Sequence, residues 1–180
     1  MAENQTPTLL INTQYIKDLS FENPNAPEVY AKITEAPPDI TFNLDVTPTH
    51  LHDRSYEVVL SLHTKAVCGE MVAFLVELDH AAIVTLGESV PEDVVEQLLV
   101  TEVPRYIFPF SRAILADVTR EAAFPPLVIN PIDFKQFYEH RKMVAAQAAN
   151  AKEPAAQAAN AEEPAAPDAD GGKPAAPKTG

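Results

Sequence analysis

The side chains able to do chemistry in this 180-residue chain are few and scattered. Its histidines are His50, His52, His63, His80 and His140, and its one cysteine is Cys68. His50 and His52 have the i, i+2 spacing of a weak chelating pair. They stand in a proline-bounded stretch, however, and no histidine is joined by cysteine or carboxylates at the helical or hairpin spacing of a metal site. No metal and no cofactor is therefore expected. Cys68 has only Lys65 near it to depress its pKa and reads as a small buried or hairpin residue. Five glycines in the whole chain leave little material for a phosphate-cradling loop. The carboxylates remain: Asp18 with Glu22, and Glu77 with Asp79. Each pair shares one face of a strand, and acid–base work would need a cleft that strips them of water. On a flat sheet face they stay solvated, so catalysis is not expected, and what they offer is recognition of a basic partner.

The elements that must carry these residues begin with Met71–His80, MVAFLVELDH. Read as a strand, it puts Val72, Phe74, Val76 and Leu78 on one side and Ala73, Leu75, Glu77 and Asp79 on the other. One face is apolar throughout; the other ends acidic. An earlier strand, Leu9 to Glu22, alternates Leu9, Ile11, Thr13, Tyr15, Lys17, Leu19 and Phe21 against Asn12, Gln14, Ile16, Asp18, Ser20 and Glu22. Asn23-Pro24-Asn25-Ala26-Pro27 ends it, and Glu28 to Ala36 is a crossing segment of ambiguous type. Ile40, Phe42, Leu44 and Val46 mark a strand that Pro48 to Arg54 is expected to break. Ser55 to Val67 is the longest strand candidate, turned by Gly69-Glu70 into Met71–His80.

After Gly87 the apolar period becomes helical. Ser89 with Glu92 has the spacing of a capping box, and Val94, Val95, Leu98 and Leu99 follow on one face up to Pro104. A second helix is expected through Phe110, Ile114, Leu115 and Val118, closed by Phe124-Pro125-Pro126. A third starts at Asn130-Pro131, with Asp133 in its first turn. The fold class expected is α+β: a four-stranded antiparallel sheet with three helices on one face and a polar face left uncovered. Outer strands of such a sheet invite pairing, so oligomerisation is expected.

Three segments follow from composition: residues 1–8 as a flexible N-terminus, 9–143 as one folded domain, and 144–180 as a disordered tail rich in Ala and Pro. The tail contains a duplication, AAQAANAKEP at Ala145–Pro154 and AAQAANAEEP at Ala155–Pro164. It carries three lysines against five acids, so −11 of the net charge of −13 lies before it. That charge disfavours nucleic acid and anionic membrane. Neither a signal peptide nor an apolar run long enough to span a membrane is evident, and a cytoplasmic location is expected.

Five blocks carry a resemblance: YIKDLSFENPNAP (Tyr15–Pro27), YEVVL (Tyr56–Leu60), AFLVEL (Ala73–Leu78), PRYIFPFSR (Pro104–Arg112) and FPPLVINPIDF (Phe124–Phe134). In this order they resemble the SecB family of protein-export chaperones. The resemblance implies a SecB-like sheet and helices assembled as a dimer of dimers, a homotetramer. It implies an ATP-independent holdase, not an enzyme, that keeps precursors of exported proteins unfolded in the cytoplasm and delivers them to the SecA motor. SecA's basic C-terminal segment carries its own zinc, so the chaperone needs none. The family's SecA contacts map onto Asp18, Glu22, Leu75 and Glu77, and its tetramer-packing positions onto Phe74, Val76 and Leu78. Client binding lies in hydrophobic grooves, with Leu127, Ile129, Phe134 and Phe137 as candidates. The tryptophan that many members have in the crossing segment is missing, leaving Thr34 and Glu35. Glycines usual after the fourth strand and before the FP block are partly replaced by Ala81, Ala82, Ala122 and Ala123, which implies stiffer loops. The alternative is a SecB-like chaperone devoted to one client, such as an antitoxin; the intact SecA-contact residues lean against it.

Overall fold

The computed structural model describes residues 8–158. The chain divides into two compact units, Met1–His140 and Arg141–Gly180. In the first, the elements run β1 (Leu9–Glu22), α1 (Val29–Glu35), β2 (Asp39–His52), β3 (Ser55–Cys68), β4 (Met71–Leu86), α2 (Glu92–Glu121) and the start of α3 (Phe134–Ala158). The four strands form one antiparallel sheet in the order β1-β4-β3-β2. β2–β3 and β3–β4 are the expected hairpins. β1 instead crosses by way of α1 and pairs with β4, which leaves β1 and β2 as the two edges.

The core lies between one sheet face and the helices. Val58, Leu60 and Leu62 of β3 and Phe74, Val76, Leu78 and Val84 of β4 pack there with Leu99, Val103, Ile107 and Leu115 of α2. Phe124, just past α2, stacks among Phe21, Phe74 and Tyr30, with ring centroids 6.4, 5.0 and 5.2 Å away.

Five expectations are corrected. Pro48 does not break β2: it sits opposite Val58 within the strand, because β2 is an edge, where a residue without an N–H is tolerated. β4 does not stop at His80 but continues to Leu86, so Ala81 and Ala82 are fully buried strand residues rather than loop residues. Pro104 does not end the first helix, since α2 is one helix of 30 residues with Pro104 and Pro109 inside it. A proline in a helix interior costs about 3 kcal/mol. Burying a large aliphatic side chain returns about 1.5–3 kcal/mol, and α2 buries Val95, Leu99, Val100, Val103, Ile107, Phe108 and Leu115. Packing therefore outweighs two local defects. Ser89 makes no capping bond, the N-cap position being Pro91. Last, α3 begins at Phe134, not at Pro131. Asp133 is its cap rather than a first-turn residue, its Oδ1 accepting the backbone N–H groups of Lys135 and Gln136 at 3.0 and 3.1 Å.

In the second unit, residues 141–158 are helical as the continuation of α3. The first copy of the duplicated segment, Pro154 included, is thus helix, as alanine's high helix propensity favours. The remainder of the expected tail, 159–180, lies outside the described residues.

Candidate functional site

The uncovered face of the sheet is built by pairing. Residues directly opposite in an antiparallel ladder share a face, and Glu22 stands opposite Leu75, Ser20 opposite Glu77 and Asp18 opposite Asp79. Asp18, Glu22, Leu75 and Glu77 therefore meet on two adjacent strands, on the side away from the helices. Asp18, Glu22 and Glu77 are exposed and Leu75 is half-buried. The sequence reading of this acidic cluster and its face is matched.

The alternation in β1 holds only at its ends. Register shifts at Asn12 and Lys17 insert an extra residue twice, and each bulge reverses the faces beyond it. Between them Thr13 and Tyr15 turn to the outer face, opposite Ile83 and Ala81, while Gln14 and Ile16 turn toward the helices, opposite Ala82 and His80. The second bulge restores the phase and keeps Asp18 and Glu22 outside. The reversal has chemical consequences. Tyr15 donates a short hydrogen bond across β4 to Glu57 Oε1, and Lys17 Nζ lies 2.7 Å from Glu57 Oε2. The Lys17 and Tyr15 hydrogen bonds hold the Glu57 carboxyl below its ordinary pKa, and the Glu57 bond with burial pushes the Tyr15 phenol up. This three-residue clasp ties edge strand β1 to β3 across β4. Uniform alternation, the signal used for β1, conceals it.

A further group on the same face was missed as well. His63 stands opposite Glu77 on β3, with Nδ1 3.4 Å from Glu77 Oε1 and both side chains about half exposed.

Phe74, Val76 and Leu78 occupy the opposite side of β4 and are only 2%, 0% and 1% exposed within the single chain. They have no surface left to offer a second copy directly. The apolar side chains left uncovered on that side are others. Ile16 and Leu19 of β1 are 47% and 37% exposed, and Tyr106 and Phe110 of α2 are 54% and 53%. Tyr106 lines a cleft with Leu9 and Ile11 of β1. Pattern alone hides Ile16 because it is placed there by a bulge.

Of the groove candidates, Leu127 and Phe134 are 6% and 4% exposed and belong to the core. Phe134 packs edge-on against Phe108 with centroids 5.6 Å apart, and the Leu127 N–H donates to buried Thr119 Oγ1 at 2.9 Å. Phe137 is half-buried against the same core. Ile129 lines a groove of about 390 Å³ between edge strand β2 and the segment 127–132, and Leu127, though mostly buried, lines it too. Its exposed apolar walls are Ile40 and Val128, at 50% and 73%. A second cavity of about 550 Å³ lies between the C-terminal end of α1, with Lys32 and Glu35, and the Gly69-Glu70 turn, and reaches Asp39 at the start of β2. The α1 residues that line it, Lys32 and Glu35, are charged. Among the described residues no cluster of three metal-ligating side chains occurs, and no helix is long and apolar enough to cross a membrane.

Comparison with known proteins follows the same lines. A family model described as preprotein translocase subunit SecB matches residues 2–145. The protein-export protein SecB of Rhodospirillum rubrum is 44% identical over 149 residues, covering 83% of this chain and 91% of the relative. That of Parvibaculum lavamentivorans is 45% identical over 150 residues, covering 83% and 88%. Among solved structures, a SecB-like chaperone of Mycobacterium tuberculosis in complex with an antitoxin peptide superposes with a TM-score of 0.54 at 17% identity, covering 69% of this chain and 91% of that one. At that identity the likeness concerns the fold. With the family model spanning the folded region and relatives above 40% identity over most of it, the chain belongs to the SecB family.

Proposed function

We propose that this protein is an ATP-independent holdase of protein export, acting in the cytoplasm, that keeps precursor polypeptides unfolded and passes them to SecA through the acidic outer face of its sheet. The SecB family membership carries the chaperone role. These chaperones are not catalysts, and the chain is a binding protein rather than an enzyme. What supports the docking reading is the gathering of Asp18, Glu22, Leu75 and Glu77 on β1 and β4. A flat acidic surface with one half-buried leucine suits a basic, partly apolar segment such as SecA's C-terminal one. The groove walled by Ile40, Val128 and Ile129, beside a free strand edge, suits an extended unfolded chain, which offers backbone hydrogen bonds and alternate side chains.

A homotetramer, built as a dimer of dimers, is the assembly this reading requires. Its support is the uncovered apolar set Ile16, Leu19, Tyr106 and Phe110, a set that a second copy of the chain would bury. The single-client alternative has no observation in its favour, since the likeness to the antitoxin-bound chaperone is one of fold.

The test is charge reversal. Glu77→Lys is expected to weaken binding of the zinc-loaded SecA C-terminal segment by about tenfold, near 1.4 kcal/mol, with suppression of precursor refolding unchanged. Equal affinity of the two proteins at low and moderate salt would overturn the docking assignment.

A further inference from the structure

The acidic face contains a histidine, placed beside the carboxylate that a docked basic segment would need. His63 lies directly across the β3–β4 ladder from Glu77, its Nδ1 3.4 Å from Glu77 Oε1. On its other side stands Asn43 of β2. The charged groups that face it at the diagonal positions are Asp79 of β4 and Asp45 of β2, with Lys65 two residues on along β3 itself. The imidazole therefore borders three carboxylates and one ammonium, all on the outer face. Glu77 is also within the cluster formed with Asp18, Glu22 and Leu75, so one carboxylate belongs both to the docking surface and to the His63 pair.

We infer that His63 is a specificity-determining residue of the docking face, an intramolecular competitor that sets how strongly Glu77 is available to a basic partner. When neutral, the imidazole leaves the Glu77 charge for the partner. When protonated, it pairs with Glu77 and lowers the negative potential of the face, so docking weakens. Histidine is the side chain whose charge changes in the neutral range, so the affinity of this face depends on pH where the carboxylates alone would leave it constant. Both side chains are about half exposed, and exposed pairs are weak. The effect is thus a tuning of about two- to fivefold, not an on–off switch. This inference rests on the docking reading above and adds a residue of β3 to a surface otherwise formed by β1 and β4.

The experiment uses the full chain and the zinc-loaded SecA C-terminal segment as probe, titrated at low salt at about pH 8 and about pH 6. Wild type is expected to bind about two- to fivefold more weakly at the lower pH. His63→Gln should match wild type at the higher pH and keep a larger share of its affinity at the lower one, and any loss it shares with wild type belongs to groups on the probe. His63→Lys, with a fixed charge, should bind weakly at both. In a Glu77→Gln background the His63→Gln change should have a smaller effect than in wild type, and an equal effect would show that His63 does not act through Glu77. If His63→Gln shows the same pH-dependent loss as wild type, His63 is not the competitor and the inference fails, while docking on this face stands. If Glu77→Lys binds the segment like wild type at the higher pH, the docking reading itself fails.

Discussion

His80 is an ionisable side chain held 3% exposed between β4 and α2. Its Nδ1 lies 2.8 Å from Ser111 Oγ, whose hydroxyl also reaches the Ile107 carbonyl at 3.2 Å. Its ladder partners are Ile16 and Leu60, so only apolar groups flank it within the sheet. Burial pushes its pKa below the ordinary 6.5, because a charge there loses its hydration without gaining a counter-ion. The folded state thus holds His80 neutral, while the unfolded chain takes up a proton as pH falls below about 6.5. The stability it contributes is complete above that value and is lost as pH falls toward the folded-state pKa. Glu57, whose carboxyl is also depressed, acts in a separate window: its contribution is present above the ordinary 4.5 and is lost only below it. Thermal unfolding followed from neutral pH down to about pH 5 should therefore show a falling midpoint in wild type and a flatter profile in His80→Gln. Identical slopes for the two would show that His80 is not held neutral. The histidine was visible in the sequence, but its partner was not, because Ser111 is 31 residues away on another element.

Elements in this protein are held together at a few polar joints as well as by the core. The last turns of α2 are joined to the segment that forms the groove wall through Thr119, which is fully buried. Its hydroxyl donates to the carbonyls of Leu115 and Ala116 at 2.9 and 3.1 Å and accepts the Leu127 N–H. Nearby, Tyr30 of α1 donates to the Ala122 carbonyl at 2.8 Å and accepts from Asn23 Nδ2 at 2.8 Å. Thr119→Val keeps the shape but leaves the buried Leu127 N–H unpaired, at a cost of about 1–3 kcal/mol. Denaturant unfolding should read that loss directly. Client affinity should fall too, because Leu127 begins the segment that walls the groove. Wild-type stability in Thr119→Val would mean the joint is not structural. Periodicity predicted the apolar face of α2 but gave no hint of this joint, since a threonine inside a helix usually bonds only its own preceding turn.

For the whole molecule the decisive surface is the one left uncovered on the helix side. Phe110 is 53% exposed on α2 and is not one of the side chains that form the core. Phe110→Asp is therefore expected to change stability by no more than about 0.5 kcal/mol while shifting native mass toward smaller species, read by native mass spectrometry or sedimentation. An unchanged native mass would remove α2 from the proposed assembly interface. Truncation after Val144 should leave the assembly as it is in the full chain, and a monomer after truncation would show that the Ala- and Pro-rich segment takes part in it. The two measurements separate the folded unit from the segment that follows it.

The sequence by itself determined the α+β class, the four strands, the acid-bearing face of β1 and β4 and the family, because alternation, turn residues and the five motif blocks are local signals. Spacing alone put Asp18 with Glu22 on one face of β1 and Glu77 with Asp79 on one face of β4, and the β1–β4 ladder made the two faces one. Only the tertiary structure decided what each face meets. Strand order made β2 an edge that tolerates Pro48, and packing carried α2 through two prolines that local chemistry treats as stops. Bulges at Asn12 and Lys17 turned Tyr15 outward and Ile16 inward. Packing buried Phe74, Val76 and Leu78 completely, Phe74 under Phe21 and Phe124, and left Ile16, Leu19, Tyr106 and Phe110 exposed instead. In each case the energy comes from contacts between residues distant in the chain, and a local pattern does not contain them.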